Sequence, residues 1–241
     1  MIGTIVNAVA IAVGGFVGLL LKKGIKESWT NSVNKAVGIA VLVIGLNGVI
    51  SNMITVGEGG KLSSSGELLV VISLILGTLI GEILRLDDHM EKLSKGIEKK
   101  FAATGFAASF MNATILFCVG AMAIIGSLQD GLTGDHTVLF AKAVLDGVTA
   151  IVFGATLGIG VVFSAIPVFV YQGLIALLAG VLSNYLQGEL LTQICAVGYA
   201  IIIAIGVNFL TKDRIKILNM LPAIFIPVLW FFIQKLIAWR L

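Results

Sequence analysis

Residues 137–158 read TVLFAKAVLDGVTAIVFGATLG, an apolar stretch long enough to cross the roughly 30 Å hydrocarbon core of a bilayer as one helix. Its charged side chains, Lys142 and Asp146, stand four residues apart, which places them on one helical face. The whole chain shares this character. Of 241 residues, 58% are hydrophobic and 12% are charged, whereas soluble domains carry about 25% charged residues. The mean hydropathy of +1.08 agrees. The excess apolar surface must face lipid, which excludes a water-soluble domain.

Working outward, apolar segments fall at about residues 2–21, 36–56, 67–85, 107–127, 138–160, 161–184, 190–211 and 217–238, each near the length a span requires. The expected fold is an all-α polytopic transmembrane bundle of seven to eight spans, a single membrane domain over residues 1–241. Lys22, Lys23, Lys26 and Lys35 fill the first connection, Arg85, Lys92, Lys95, Lys99 and Lys100 the third, and Lys212, Arg214 and Lys216 the seventh. The positive-inside rule puts these loops in the cytoplasm and the N-terminus outside a bacterial plasma membrane. The run Ile2–Leu21 lacks preceding basic residues and is followed by Lys22 and Lys23, which reads as a retained span and not a signal peptide. Residues 86–104 place Leu86, Met90, Leu93, Ile97 and Phe101 at helical spacing among charges. They suit an amphipathic helix at the cytoplasmic interface, or equally a solvated helix packed on neighbouring loops. Cys118 and Cys195 lie inside apolar segments, where a thiol acts as a small hydrophobe.

A pattern recurs in AVGIAVLVIGLN from Ala36, CVGAMAIIGSLQ from Cys118 and AVGYAIIIAIGVN from Ala196. Each joins Val-Gly, at Gly38, Gly120 and Gly198, to an amide side chain: Asn47, Gln129 and Asn208. GGFVG at Gly14, GTLIG at Gly77 and GATLG at Gly154 add glycines four residues apart, faces that let membrane helices approach closely. Chance recurrence in a Gly-rich apolar chain competes with true internal, inverted repetition of the kind found in transporters.

Intramembrane ionisable groups are the sharpest chemical signal, because each costs about 2.5 to 3.5 kcal/mol at the bilayer centre on insertion scales. Thr149 and Thr156 extend the Lys142–Asp146 face into a polar stripe. In one reading the stripe lines a hydrated path, with Asp146 binding a cation or carrying a proton. In the other, the pair pins the helix inside the bundle. Glu82 reads as an interfacial carboxylate near Arg85, and GSLQDGLTGDHT over residues 126–137 as an outer vestibule or broken helix end with Gln129 and Asp130 near its mouth. That stretch lacks the spacing of a calcium or zinc site. Asn7, Asn47, Asn112 and Asn208 are amides inside spans, suited to interhelical hydrogen bonds. Pro167, Pro222 and Pro227 are candidate helix breaks.

The opening MIGTIVNAVAIAVGGFVGLLLKKGI and the run FCVGAMAIIGSLQDGLTGDHTVLFAKAVLDGVTAIVFGATLGIGVVFSAIPV resemble the domain-of-unknown-function family 554 of bacterial integral membrane proteins. The resemblance covers nearly the whole chain. It implies a plasma-membrane location and carries over no substrate and no site residues.

The residues therefore point to transport of an ion or small solute, as secondary transporter or channel. Asp146, Lys142, Gln129, Asn47 and Asn208 surround a polar site, with Thr149 on the stripe and Asp130 nearby. The alternative is a non-transporting scaffold or regulatory subunit whose glycine faces bind other helices and whose Lys142 and Asp146 are in direct contact. No catalytic motif is present, and no enzymatic activity, cofactor, metal or nucleic acid is expected. The expected partners are the bilayer and the solute or ion, with a second copy joined through the glycine faces unless those faces are used up inside one bundle.

Overall fold

The computed structural model describes residues 1–22, 27–57, 60–89, 91–92, 105–119, 121–183, 185–186, 188–211 and 213–240. Among them the helices are α1 (Ile2–Lys22), α2 (Glu27–Met53), α3 (Glu67–Leu84), α4 (Phe106–Cys118), α5 (Ala121–Leu132), α6 (Thr137–Leu157), α7 (Gly160–Phe163), α8 (Ala165–Leu177), α9 (Ala179–Leu182), α10 (Gly188–Leu210), α11 (Ile217–Met220) and α12 (Ile226–Arg240). A 3-10 turn, Leu221–Phe225, joins α11 to α12, and strands β1 (Ile54–Val56) and β2 (Leu62–Ser64) follow α2. This is the all-α polytopic bundle expected, with seven helices long and apolar enough to cross a membrane, or eight crossings if one bent pair counts as a span. The chain divides into two compact units, Met1–Ala36 with His89–Leu186, and Val37–Asp88 with Gln187–Leu241.

In the first unit α1 runs parallel to α6 at backbone contact. A Cβ added to Gly14 would fall on the Gly147 carbonyl oxygen, one at Gly18 on that of Ile151, and one at Gly154 on that of Gly15. The GGFVG and GATLG faces are thus spent on each other, the use small residues have where lipid supplies no hydrophobic drive. The segment expected as one span at 107–127 is instead two half-helices, α4 and α5, bent 62° at the break between Cys118 and Met122. Phe106, at the start of α4, packs edge-on against Phe163 at the end of α7, with ring centroids 5.6 Å apart. At the far end, a Cβ on Gly131 of α5 would strike the Ala176 carbonyl of α8. Gly160–Leu177 is itself long and apolar enough to cross a membrane, and α4 and α5 run beside it as a bent pair that adds an eighth crossing if it counts as one span.

No proline causes this break; Val119 is extended there, at φ −80 and ψ 139. Pro167 sits in the first turn of α8 and Pro227 in the first turn of α12, where the missing N–H costs nothing; Pro222 opens the 3-10 turn. The stretch read as a loop at residues 126–137 is helical through Leu132, and the turn shrinks to residues 133–136. Gly134 makes that turn with φ 69, a left-handed conformation glycine adopts without steric cost.

In the second unit α2 lies antiparallel to α10, with Gly38 against Phe209 and Gly48 against the Tyr199 ring. Likewise α3 meets the α11 segment, with Gly77 on Ala223 and Gly81 on Asn219. One end of the unit carries the hairpin, paired Ile54↔Ser64, Thr55↔Ser63 and Val56↔Leu62, its first strand taken from the end of the segment expected as a span over 36–56 and its second from the connection after it. At the opposite end Glu82 pairs with Lys216 at 3.2 Å, and its backbone carbonyl accepts the Arg85 N–H at 3.2 Å. Arg85 turns the chain after α3 in a left-handed conformation, φ 50. Of the interfacial helix expected over residues 86–104, residues 86–89 and 91–92 are helical and the remainder lies outside the described residues. Asp87 there donates its N–H to Asn219 Oδ1 at 2.9 Å and lies 3.6 Å from Arg214. Of the Val-Gly glycines, Gly38 and Gly198 sit inside α2 and α10, and Gly120 lies outside the described residues.

Replacing Gly14 by Val drives a branched side chain into the Gly147 carbonyl and is expected to destabilise by about 1 to 3 kcal/mol, the usual cost of overpacking. Gly180 has no atom within 4 Å of an added Cβ, so Gly180→Ala is expected to stay within about 0.5 kcal/mol of the native chain. Thermal unfolding in detergent, followed by size exclusion, compares the two.

Candidate functional site

Lys142 and Asp146 are 6% and 7% exposed on α6. The Lys142 Nζ donates to Asp146 Oδ1 at 3.0 Å and lies 2.8 Å from Oδ2. The four-residue spacing on one helix makes this contact nearly inevitable once both side chains leave solvent. The partners beyond the helix come from packing. Close approach of α1 brings the fully buried Asn7 amide to face the Asp146 carboxylate. Asn7 Nδ2 also donates to Gln172 Oε1 of α8 at 3.2 Å, and Gln172 is likewise fully buried. A polar chain of Lys142, Asp146, Asn7 and Gln172 therefore links three spans.

That chain is incompletely satisfied. Asn7 Oδ1 and Gln172 Nε2 are buried without a hydrogen-bond partner, and Asp146 Oδ2, also without a hydrogen bond, is held by the Lys142 ammonium at 2.8 Å. Turning both amides over would reverse their bond, leave one donor and one acceptor stranded as before, and point the Asn7 oxygen at a carboxylate. The orientation described is the better one. Leaving each group unpaired costs about 1 to 3 kcal/mol, so the cluster holds one donor and one acceptor that a water or a small polar solute would satisfy.

A second carboxylate, Asp130 at the end of α5, is saturated by contrast. It accepts from Thr4 N and Thr4 Oγ1, both at 3.1 Å, and from Gly3 N at 3.4 Å. The Met1 amino group lies 3.1 Å and His136 Nδ1 2.5 Å from Oδ1. A carboxylate offers about four lone-pair sites, so none remains for a solute. Asp130 caps the first turn of α1 from another helix, meeting backbone N–H groups that α1 itself cannot pair. Asp130, expected near the mouth of the bundle, sits at the end of α5 and serves as this cap.

The other sequence candidates separate. Thr149, half-buried, donates to the Leu145 carbonyl at 2.8 Å, and Thr156 to that of Val152 at 2.9 Å, so the polar stripe beyond Asp146 is satisfied by its own helix. Gln129 is half-buried with Oε1 unpaired. Asn208 belongs to the second unit, where it donates to the Ile215 carbonyl at 2.9 Å and accepts from Ile215 N at 2.8 Å. It braces the turn after α10. Asn47, also in the second unit, is exposed on α2. Asp135, exposed in the turn before α6, accepts the Thr137 N–H at 2.9 Å. That backbone bond holds its carboxyl below the usual 3.8. Its contribution to the start of α6 is present at neutral pH and is lost as pH falls through that depressed value, so Asp135 is a charged cap and not a proton carrier at neutral pH. Gln172 escaped the sequence reading, which noted FSAIPVFVYQG for its proline; the available signal was a lone amide in an apolar run. No group of three or more metal-ligating side chains occurs among the described residues.

Fold and site together define a polytopic helical membrane protein whose spans are joined by a buried, partly unpaired polar cluster. The chain belongs to the family described as protein of unknown function (DUF554), whose model matches residues 2–232. It is similar to the uncharacterized membrane protein YdfK of Bacillus subtilis (strain 168), 33% identical over 233 residues that cover 97% of this chain and 96% of that one. It is also similar to the uncharacterized protein YqgA of Escherichia coli (strain K12), 30% identical over 235 residues, 95% of each chain. No solved structure matches the chain.

Removing one member of a buried ion pair leaves the other charge uncompensated and costs about 3 to 5 kcal/mol, whereas replacing both with apolar groups of similar volume costs far less. Lys142→Met and Asp146→Leu are each expected to lower thermal stability sharply, and the double variant to recover most of the loss. A double-mutant cycle from detergent melting curves reads the coupling.

Proposed function

We propose that this protein carries an ion or small polar solute across a bacterial plasma membrane, with Asp146 as the exchanging group. The observation that carries the reading is the cluster of buried polar side chains from α1, α6 and α8 with Asn7 Oδ1 and Gln172 Nε2 unpaired. In this reading a cation or proton takes the place of the Lys142 ammonium on Asp146, the two amides coordinate or orient it, and Lys142 retracts toward the interface along its apolar stem. The broken span α4–α5 supports the same conclusion, because interrupted helices are where transporters free backbone groups for a solute. The reading is non-enzymatic.

One observation favours the non-transporting scaffold: Lys142 and Asp146 touch directly, with no intervening group. A flux assay in proteoliposomes separates the two. Across a panel of monovalent cations, protons, amino acids and small anions, transport predicts flux of one class that Asp146→Asn abolishes. Flux that survives Asp146→Asn removes Asp146 from the mechanism, and no flux of any kind selects the scaffold.

We further propose an N-terminus outside the cytoplasm, on the strength of the Lys-rich and Arg-rich first, third and seventh connections. In a Cys118→Ala/Cys195→Ala background, an impermeant thiol reagent applied to whole cells is expected to label Gly134→Cys and to spare Lys212→Cys. Labelling of both from one side overturns the eight-crossing orientation.

A further inference from the structure

The second unit contains a cavity of about 590 Å³ that takes no part in the Asp146 cluster. That volume is in the range of sites for small ligands. It opens at the hairpin end, where Glu67 begins α3 and Glu189 lies in the first turn of α10, and it reaches Leu76 midway along α3. Nine residues of helix separate Glu67 from Leu76, a depth of roughly 14 Å. Away from that end the lining is apolar, with Ala196 buried and Leu76 and Leu229 along a side left open in the chain itself, and among the described residues it contains two carboxylates and no Lys or Arg. Glu67 accepts from the Ser64 hydroxyl, and Glu189 accepts from Gln193 Nε2 at 2.8 Å. Both donors are neutral, so the mouth keeps its negative charge. Trp230, 43% exposed, lines the cavity one helical turn inward from Gln234.

A polar mouth above an apolar slot fits an amphiphile, and the charge decides which kind. Anionic heads are repelled by Glu67 and Glu189, whereas an ammonium head is attracted by both and by the face of the Trp230 indole, which binds cations through its ring quadrupole. We propose that this cavity binds a single-chain amphiphile with a cationic, ammonium-type head, held by Glu67, Glu189 and Trp230, with its chain in the slot ending near Leu76. The site is independent of the transport reading.

The test uses the full chain in phosphatidylcholine nanodiscs, with Trp29→Phe/Trp239→Phe leaving Trp230 as the fluorophore. Three probes share a bromine-tagged dodecyl chain and differ in head: trimethylammonium, sulfate and maltoside. The trimethylammonium probe is expected to quench Trp230 at about tenfold lower concentration than the other two, the advantage of a cation over an aromatic face beside partly exposed carboxylates. In Glu67→Gln/Glu189→Gln that preference disappears while the maltoside probe quenches as before, which shows the cavity intact. Equal quenching by all three heads, a cationic preference that survives the double substitution, or no quenching by any probe overturns the proposal.

Discussion

Within a hydrocarbon slab a charge or a peptide group has no water to turn to, and in the first unit that constraint falls hardest on residues 142–146. The Lys142–Asp146 contact neutralises two charges that would otherwise be costly on α6. Its surroundings depend on how closely α1 can lie against α6. Gly14, Gly18 and Gly154 let the backbones meet, and only at that separation does the short Asn7 side chain reach the pair. Packing and electrostatics are one problem here: a bulkier residue at Gly14 or Gly18 would push α1 off and strand Asp146 with Lys142 alone.

Two buried carboxylates among the described residues of the first unit make an instructive contrast. Asp130 has every lone pair engaged by the first turn of α1 and by His136; it fixes one helix end and has nothing left to bind. Asp146, on the adjoining helix, belongs to a network with a spare donor and a spare acceptor. Fully satisfied buried networks rigidify a structure, and partly satisfied ones are where a solute gains most by entering. That difference, more than the presence of charge, separates a structural carboxylate from a candidate transport group.

The second unit solves its polar problems at the two ends of its helices. At one end Asn208 and Asn219 brace the turn and the start of the next segment through backbone groups, with Glu82–Lys216 and Asp87–Arg214 alongside. At the other, the hairpin sits above a slot whose acidic mouth and apolar depth have opposite solvent preferences. The first unit carries the Lys142–Asp146 cluster within its spans as well as Asp130 at a helix end, whereas the ion pairs of the second lie at its rim.

Much of the architecture is local in origin and therefore legible in the residues. Segment lengths follow from bilayer thickness, and the Lys142–Asp146 contact follows from helical periodicity alone. The glycine pairs are readable as contact faces, though not which face meets which. The break in α4–α5 carries no proline to announce it, and the hairpin strands were hidden, one at the end of an apolar segment and the other in the connection after it. Gln172 is a single amide in an apolar run, indistinguishable by pattern from any other until α8 packs against α1. Asp130 and Thr4 stand 126 residues apart, beyond the reach of any periodicity. By itself the sequence determined that this protein is a polytopic helical membrane protein and where its charges pair along one helix, because hydropathy and helical pitch are properties of neighbouring residues. Only the tertiary structure decided which carboxylate is saturated and which is open, because that depends on the donors that distant helices bring to it.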